Sequence, residues 1–356
     1  MKADQDQGEQ VGEVDLYQRL EDLASELDLV GFGVSRVRRY KNVAVMLRQR
    51  SELGYRDSME FTYRNPDRST NPATALKDAQ SVVSAGFYYG DVNRLDPNEP
   101  NEPNSVIARY AQIDSYQVLS NKLTVLAREL KDLGHLAQVV LDSNALVDKE
   151  AIARAHGGFY LKNSLIAIPR IGSMVVLGNV VTSAHIPSSS KPSRLVGCGS
   201  CTICISGCPT GAILPGGVID ARRCISWVLQ KPGVIPRSLA GVIGLRVYGC
   251  DICQDLCPYN RKVPKQIRSD SQAPQDLISI LSLGDTELLA TFQHLYIHKR
   301  DPNIIRRNAL LAMGNLGVLA EPRKQELRAL LIQYREAEDP VLASQASDSL
   351  DRLGWS

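Results

Sequence analysis

All eight cysteines of this 356-residue chain fall between Cys198 and Cys257. In a secreted protein, disulfide-forming cysteines would be spread along the chain, where they link distant loops around a small core. A chain of this length has enough residues for two or three domains with real hydrophobic cores. Thiols gathered in one short segment therefore predict metal ligands.

The first cysteine run has the spacing Cys-x2-Cys-x2-Cys-x3-Cys-Pro and extends from Cys198 to Pro209. This is the spacing of bacterial two-cluster ferredoxins, in which the fourth cysteine ligates the other of two iron–sulfur clusters. Short loops between the first three cysteines allow three thiolates to surround one face of a cluster. The run is therefore a specific signal for iron–sulfur chemistry.

The second run, Cys250-x2-Cys253-x3-Cys257-Pro, repeats the last three positions of that pattern. Val247 stands where the first cysteine would be, so the missing ligand must come from elsewhere, and Cys224 is the only thiol left. The crossed ferredoxin arrangement then predicts two 4Fe–4S clusters and leaves no thiol for nucleophilic catalysis. The predicted ligand sets are Cys198, Cys201, Cys204 and Cys257 for the first cluster, and Cys208, Cys224, Cys250 and Cys253 for the second.

Two alternatives to electron-carrying clusters come from the same residues. Zinc also accepts four thiolates arranged in CxxC pairs, but the x3-Cys-Pro ending occurs twice and favours iron–sulfur clusters. The clusters could also be purely structural, although two adjacent clusters normally conduct single electrons. We therefore expect an electron-transfer protein.

Helix and strand patterns alternate before the cysteine segment. Apolar residues recur at helical spacing in 15–30 and in 115–134, and Gly134 suits the position after the second helix. This alternation predicts an α/β domain. Strands are predicted for GFGVSRV, for 81–90 and for 135–143, a strand–turn–strand for 174–186, and turns or loops for 41–75 and 91–104.

After about residue 275 the sequence predicts helices only. Two segments resemble one another, RDPNIIRRNALLAMGNLG and EDPVLASQASDSLDRLG, with Ala309 aligned with Ala346. Both contain an Asp-Pro pair, at 301–302 and 339–340, which suits a helix start. Such a repeat predicts a HEAT-like helical region. Two copies are too few to stand alone, so we expect the region to pack on the rest of the chain.

These patterns together predict an α+β multidomain fold in four parts. They are a disordered tail 1–14, an α/β domain 15–186, a ferredoxin-like two-cluster domain 187–272 whose first residues are a linker (187–197), and a HEAT-like helical domain 273–356. The first residues lack the pattern of a signal peptide, and no apolar run reaches the roughly 18 residues of a membrane span. We therefore expect no membrane association and a cytoplasmic location.

The chain lacks several common cofactor motifs. No GxGxxG follows a strand, no P-loop is present, and no DxHxxG signals a histidine-ligated cobalamin. The five histidines show no metal-ligand spacing, and the formal net charge of +2 gives no overall argument for a nucleic-acid partner. The residues alone thus indicate electron transfer without naming the acceptor.

Three segments resemble the epoxyqueuosine reductase family. Two are cysteine segments, CGSCTICISGCPTGAI and DARRCISWV…VYGCDICQDLCPYN, and the third is DSNALVDKEAIARAHGGFYLKNSLI, 142–166. The third is the most particular, because its Asp, Ser and Lys-Asn fall in the family's order and register. The similarity extends from about residue 16 to the end, including RRNALLAMGN at 306–315.

This resemblance implies a cobalamin- and iron–sulfur-dependent reductase that converts epoxyqueuosine to queuosine in the tRNA anticodon loop. The family binds cobalamin base-off, without a histidine ligand, which agrees with the missing DxHxxG motif. Electrons from an external one-electron reductant are expected to pass through the clusters to cobalt, and the chain is expected to be a monomer. Two alternatives remain open: a cobalamin reductase of a small molecule, such as a reductive dehalogenase-like enzyme, and a non-catalytic electron carrier.

The resemblance also implies roles for single residues. Asp142 matches the family's general acid, which delivers a proton to the leaving oxygen; the alternative is a strand-end Asp that caps the next helix. The basic stretches 298–300 and 306–307 are candidates to hold tRNA phosphates, or else form solvated helix faces. The residues expected near cobalamin are Arg68, Asn163, Ile166, Ile168, Ser226 and Asp251.

The chain departs from the family pattern inside the segment that carries the resemblance. Ala145 replaces the family's Pro, His156 and Leu161 replace glycines, and Asp148-Lys149 replaces a Glu-Arg pair. A glycine often marks a backbone position that a side chain would obstruct. The departures therefore leave open a substrate other than epoxyqueuosine.

Overall fold

The structure is a computed structural model that describes residues 13–92, 103–189, 197–261, 275–317 and 319–355. Most of the predicted tail 1–14, of the loop 91–104 and of the linker 187–197 lies outside the described residues. Among the described residues, none of the helices combines the length and the apolar character that a membrane crossing requires.

The first part of the chain is built around a four-stranded antiparallel sheet. Its strands, with three shorter ones, are β1 Val30–Arg36, β2 Ser81–Tyr88, β3 Val106–Ile107, β4 Ala137–Leu141, β5 Phe159–Tyr160, β6 Ile166–Ala167 and β7 Val175–Thr182. The strand order is β1-β2-β7-β4, and β2 and β7 pair along their whole length. Strand β2 is buried on both faces, as its nearly continuous apolar sequence predicts.

Helices cover both faces of this sheet. They are α1 Glu13–Glu26, α2 Lys41–Glu52, α3 Pro66–Ser69, α4 Ser115–Asp132 and α5 Asp148–Arg154. Alternate residues of β2 point to opposite faces, so Val83 joins the core beneath α1 and α4, whereas Val82 joins the core that includes α2 and α5. The predicted α/β arrangement of this part is thus present.

The strand–turn–strand prediction for 174–186 is wrong, because β7 is one unbroken strand. Gly178 and Asn179 suggest a turn locally, but the sheet uses both. A Cβ on Gly178 would lie 2.5 Å from Leu123 Cδ1, so glycine is what lets α4 approach the strand. Asn179 bonds to polar groups on the neighbouring elements. Tertiary contacts override the local turn preference here.

The prediction of turns throughout 41–75 is wrong in its first part, where Lys41–Glu52 forms helix α2. Val43, Ala44 and Leu47 are spaced by one helical turn and bury one face against the sheet. The exposed apolar residues Val45 and Met46 interrupt this pattern and polar residues fill the remaining positions, so the helical spacing is hard to see in the sequence.

The cysteine segment contains only short elements. They are α6 Ile203–Ser206, β8 Ile213–Leu214, β9 Val218–Ile219, α7 Ile225–Val228, α8 Arg237–Ile243, β10 Arg246–Tyr248 and α9 Ile252–Asp255. Strand β10 pairs in parallel with β3, which joins the cysteine segment to the first part of the chain. The cysteine loops are therefore fixed against the α/β layer.

The described C-terminal residues form helices, as the sequence predicts. These helices are α10 Leu277–Ser282, α11 Asp285–Thr291, α12 Asn303–Met313, α13 Arg323–Arg335 and α14 Pro340–Leu353. Ala309 and Ala346, aligned in the sequence repeat, are both fully buried. The predicted cap at α14 is confirmed, because the Asp339 carboxylate accepts the Val341 and Leu342 N–H groups. Helix α12 begins at Asn303, whose N–H donates to Asp301.

The helical tail packs on the rest of the chain, as expected. Its core includes Val106 and Ile107 of β3 and Val247 of β10. Arg307 of α12 is 1% exposed and donates to four backbone carbonyls at the end of α7 and just after it. Arg306 is also buried and donates to Leu283 O. The prediction that Arg306 and Arg307 hold tRNA phosphates is therefore wrong.

Candidate active site and cluster-binding segment

The thiols of the first predicted ligand set lie within electrostatic range of one another. Burial raises the pKa of Cys204, and Cys198, Cys257 and Cys201 raise it further, in that order. These three are the other members of that set. Cys257 comes from the end of the second cysteine run, so the chain crosses over between the two runs.

The second set forms a similar group. Burial raises the pKa of Cys253 well above its ordinary value, and Cys250, Cys224 and then Cys204 add to the effect. Cys224, which also has a pKa raised by burial, interacts in turn with Cys208. The interaction of Cys204 with Cys253 places the two sets side by side.

Backbone donors point at sulfurs of both sets. The Lys162 N–H donates to Cys198 Sγ at 3.3 Å, and the Ala212 N–H donates to Cys208 Sγ at 3.4 Å. Hydrogen bonds to cysteine sulfurs are a feature of iron–sulfur ligation. Within the described ranges, no three His, Cys, Asp or Glu side chains converge as they would around a single metal ion, the arrangement that zinc needs.

Asp142 is the first residue after β4 and has a φ of +40°. Its side chain is exposed, yet the protein around it raises its pKa by desolvation, and solvent contact limits that rise. It does not cap the next helix: the residue before α5 is Val147, with no side-chain cap. The capping alternative for Asp142 is therefore wrong.

Four tyrosines, which we call the tyrosine cluster, lie near one another, and two of them interact with Asp142. They are Tyr89, Tyr110, Tyr116 and Tyr248. The Tyr110 ring lies 6.2 Å from the Tyr248 ring and 6.4 Å from the Tyr89 ring. Burial raises the pKa of all four, and Asp142 raises the pKa of Tyr116 and Tyr248 further. All four therefore stay neutral hydroxyl groups near neutral pH.

Two residues expected near cobalamin, Ser226 and Asp251, lie close to members of the tyrosine cluster. Gln230 Nε2 donates to Tyr110 Oη at 3.3 Å and to Ser226 Oγ at 3.4 Å. Asp251 raises the pKa of Tyr110 and of Tyr89. The tyrosine cluster thus brings Asp142, Ser226 and Asp251 to one region.

Asp251 is held by a buried arginine. The Arg109 backbone N–H donates to Asp251 Oδ2 at 2.9 Å, while the Arg109 guanidinium lies 3.5 Å from the same oxygen and also pairs with Asp255. Burial raises the pKa of Asp251, and Arg109 opposes this rise. Oδ1 of Asp251 is buried and has no hydrogen-bond partner among the described residues.

Three other expected contacts have structural partners of their own. The buried Asn163 donates from Nδ2 to Cys253 O at 3.4 Å, which ties it to the second cysteine run. Ile166 and Ile168 pack in a small hydrophobic cluster with Ile152, and both backbone groups of Ile168 bond to Gly172. Their side chains therefore serve packing.

Arg68 lies on α3 with an exposed side chain. The next residue, Ser69, accepts the Val147 N–H at 2.9 Å through its carbonyl, so α3 borders the loop that starts at Asp142. Arg68 therefore lies on an element that contacts the Asp142 loop.

The family departures are accommodated by the surrounding structure. His156 adopts a φ of +59°, the left-handed conformation that glycine favours. Leu161 is buried and packs with Ala167 and Cys257. Its side chain therefore covers a cysteine of the first set.

Sequence reasoning missed Asp148 and Lys149 as parts of the site. Asp148 Oδ1 accepts Asn179 Nδ2 at 2.6 Å, and Lys149 Nζ donates to Ser164 O at 3.0 Å. Burial lowers the pKa of Lys149, Arg50 lowers it further, and Asp148 opposes this shift. The sequence held one signal for them, because Asp148 and Lys149 stand where the family has a Glu-Arg pair. The tyrosine cluster gave no such signal.

The site combines an acidic loop, buried tyrosines and two adjacent sets of four thiols. Together these features define an iron–sulfur oxidoreductase. Two family profiles match the chain: "4Fe-4S double cluster binding domain" over residues 197–260 and "Epoxyqueuosine reductase QueG, DUF1730" over residues 69–148. An epoxyqueuosine reductase of Lactococcus garvieae is 31% identical over 310 residues, covering 84% of this chain and 87% of the relative. This chain belongs to the epoxyqueuosine reductase family.

Solved structures of the family are similar over nearly the whole chain. One is an epoxyqueuosine reductase with an epoxyqueuosine-modified tRNA-Tyr stem loop (TM-score 0.83, 27% identity, 95% of this chain and 91% of the other). Another, from Bacillus subtilis, is described as having its aspartate catalytic loop swung out of the active site (TM-score 0.80, 26% identity, 95% and 91%). The relatives are named as reductases, which supports an enzyme over an electron carrier.

Proposed function

We propose that this chain reduces epoxyqueuosine to queuosine in tRNA. The observation that carries the proposal is the placement of Asp142 beside the tyrosine cluster and next to two adjacent thiol sets, in a chain of this family. The reaction converts an epoxide to an alkene and water, so it consumes two electrons and two protons. Clusters held by the two thiol sets would carry the electrons, and Asp142 would deliver a proton.

Cobalamin is the second cofactor of the proposal, and the residues present fit it. Asn144 Oδ1, on the Asp142 loop, and Asp251 Oδ1 are buried acceptors without a partner in the described part of the chain. Buried acceptors of this kind call for a ligand with donors, and the corrin ring of cobalamin carries peripheral amide groups. When bound, the clusters supply single electrons and cobalamin supplies the reducing centre for opening the epoxide.

Asp142 holds the proton that the leaving oxygen needs. An epoxide oxygen leaves as a poor, basic group, so a protonated carboxyl beside it lowers the barrier. Desolvation raises the pKa of Asp142, which favours the protonated form at higher pH than an ordinary carboxyl allows. Tyr116 stays neutral beside it, so its hydroxyl can donate a hydrogen bond without adding charge, whereas the Tyr248 hydroxyl donates to Tyr296 O at 3.0 Å.

The tRNA is expected to meet the chain on its exposed basic residues. The solved relative with a tRNA-Tyr stem loop supports this partner. Of the two basic stretches, 298–300 is the accessible one, because Lys299 is exposed and Arg300 holds the local backbone through the Leu289 and Leu295 carbonyls. Lys299 is therefore the candidate phosphate contact of that stretch.

The oligomeric state, the electron source and the domain boundaries are proposed from the sequence. We infer a monomer that takes electrons from an external one-electron reductant, with a cobalamin-binding α/β domain 15–186, a two-cluster domain 187–272 and a HEAT-like domain 273–356. The contact between α12 and α14, which carry the sequence repeat, supports the last division.

Reconstitution tests the proposed function. Protein loaded with iron, sulfide and cobalamin is mixed with a strong reductant and an epoxyqueuosine-containing tRNA stem loop, and the nucleosides are analysed by mass spectrometry. We expect queuosine to form, and omission of cobalamin is the control. An unchanged epoxyqueuosine signal from fully loaded protein would refute the proposal.

A further inference from the structure

One aromatic side chain of the helical tail is exposed next to the tyrosine cluster. Tyr296 lies in the loop after α11 and is 41% exposed, whereas its neighbours Leu295 and Ile297 are buried. The backbone oxygen of Tyr296 accepts the Tyr248 hydroxyl at 3.0 Å. Because Tyr248 belongs to the tyrosine cluster, the exposed ring borders the candidate active site.

A second aromatic ring supports this surface from below. The Phe61 ring lies 5.1 Å from the Tyr296 ring and 6.4 Å from the ring of the buried Trp227. Trp227 is fixed in turn by a hydrogen bond from Nε1 to Asp57 Oδ2 at 3.2 Å. The Tyr296 ring therefore packs on a fixed aromatic base and leaves part of its surface open to solvent.

The loop that carries Tyr296 has an unusual backbone conformation. Lys299 and Arg300 have φ values of +52° and +55°, which residues with side chains rarely adopt. The Arg300 guanidinium donates to Leu295 O at 3.1 Å and to Leu289 O at 2.9 Å, and so ties the loop to α11. Strained conformations of this kind concentrate at ligand-binding sites. Here the loop leaves Tyr296 and Lys299 exposed together.

The charges around the ring suit a nucleic acid. Burial raises the pKa of Tyr296 and Glu60 raises it further, so the phenol is neutral near pH 7 and does not repel phosphate. Arg64 lies 3.8 Å from Glu60 and offsets its charge. Single exposed aromatics are common on protein surfaces. A supported ring with a cation on the same loop is instead typical of sites where bases stack and phosphates are held.

We propose that the Tyr296 ring, supported by Phe61, stacks on a base of the tRNA anticodon loop that neighbours the epoxyqueuosine nucleotide. The inference rests on the proposed function for its substrate. The modified base must reach Asp142, and Tyr296 borders that site through Tyr248, so an adjacent base is the one that meets the ring. Every base has a π face, so the contact positions the loop without reading its sequence.

Binding of a fluorescent epoxyqueuosine stem loop to protein loaded with clusters and cobalamin, without reductant, tests the contact. Tyr296→Ala should raise Kd roughly 5- to 100-fold, the range for loss of one base–aromatic stack. Tyr296→Phe keeps the ring and should keep the wild-type Kd. Tyr296→Leu keeps an apolar side chain over Phe61 but has no π face, so it should also bind more weakly.

Leu136→Ala is the control for loss of an exposed apolar side chain. Leu136 is 51% exposed and directly precedes β4, at the end of that strand away from Asp142. The Kd of this variant should equal that of the wild-type chain. The cluster absorbance and Tm of all these variants should also match the wild type, because neither altered side chain is buried.

Salt and abasic nucleotides distinguish stacking from charge. The slope of log Kd against log salt should stay unchanged in Tyr296→Ala and should fall by about 1 in Lys299→Ala. Stem loops with one abasic nucleotide on the 5′ or the 3′ side of epoxyqueuosine locate the base. One of them should weaken wild-type binding as much as Tyr296→Ala does and should add nothing to the loss in that variant.

Two results would overturn the stacking contact: a wild-type Kd in Tyr296→Ala, or abasic losses that add in full to the loss in that variant. Turnover by the wild-type chain would then leave the proposed function intact. Coupled losses of affinity in a chain that forms no queuosine would instead refute the proposed function and leave the nucleobase site standing.

Discussion

Asp142 has an exposed side chain and also a shifted pKa. Its side chain reaches solvent, yet desolvation by the surrounding protein raises its pKa above the ordinary 3.8. A general acid works only in its protonated form, so kcat should fall as pH rises through this pKa. Because the pKa is raised, that fall lies at higher pH than for a free carboxyl. Measuring kcat for the tRNA stem loop against pH checks the direction.

The variant Asp142→Asn removes the proton and keeps the shape. We expect kcat to drop roughly 100- to 10,000-fold, the usual contribution of general acid catalysis. The pH-dependent fall should disappear with it, while cluster absorbance and bound cobalamin are retained. Asp132→Asn is the matched control and should keep the wild-type rate. Full activity of Asp142→Asn would show that the acid lies elsewhere.

The buried environment of Arg109 leads to a prediction about stability. Its buried guanidinium pairs with Asp255 and lies 3.5 Å from Asp251. Arg109→Ala leaves two carboxylates without their partner, which should cost about 3–5 kcal/mol. We expect a lower apparent Tm and faster loss of iron, because Asp251 adjoins Cys250.

The exposed pair of Arg335 and Glu336 provides the comparison for Arg109. Its side chains are 41% and 72% exposed. Arg335→Ala should therefore cost about 0–1 kcal/mol. Equal decreases in Tm for Arg109→Ala and Arg335→Ala would contradict the prediction that the loss of a buried ion pair costs more stability than the loss of an exposed one.

At the scale of elements, strand β7 depends on a glycine for its contact with α4. A Cβ at Gly178 would lie 2.5 Å from Leu123 Cδ1 and 3.0 Å from Leu141 Cβ. Gly178→Val should therefore destabilise the chain by about 1–3 kcal/mol through overpacking. Thermal unfolding of the loaded protein measures the change.

Gly241 in α8 is the matched control for Gly178. Nothing lies within 4 Å of a Cβ built there, and the residue is inside a helix. Gly241→Ala should raise stability by roughly 0.5–1 kcal/mol, because alanine loses less backbone freedom on folding. A loss of stability in both variants would mean that packing against α4 is not the deciding factor.

At the scale of the whole molecule, Arg307 connects the helical tail to the cysteine segment. It is fully buried on α12 and donates to the carbonyls of Val228, Leu229, Lys231 and Gly233. Burial lowers its pKa to about 10, so it stays charged at neutral pH. Four carbonyls, one at the end of α7 and three in the segment before α8, therefore depend on a residue from the tail.

Arg307→Met should remove these donors and leave the carbonyls buried. We expect a loss of about 3 kcal/mol or more, and the iron content after gel filtration should fall because Cys224 immediately precedes α7. Arg328→Met, at an exposed position of α13, is the control and should leave both quantities unchanged. Retention of iron and Tm in Arg307→Met would show that the tail does not support the cysteine segment.

The sequence by itself determined what depends on near neighbours along the chain. Cysteine spacing predicts cluster ligation because short loops limit where a thiolate can reach, and elimination leaves Cys224 as the missing ligand. Helix α4 and the Asp339 cap were predictable because hydrophobic period and capping are local. The local preferences failed where a packed sheet used Gly178 and Asn179 within a strand.

Only the tertiary structure decided the surroundings of Asp142. The tyrosine cluster comes from four separate places in the chain, and Asn179 meets Asp148 only because β7 and α5 pack together. No period or spacing in one sequence records such contacts, since they arise from the order of strands in the sheet and the helices that cover it. Burial and hydrogen bonding, which set the pKa values and the position of the acid, are properties of that assembled fold.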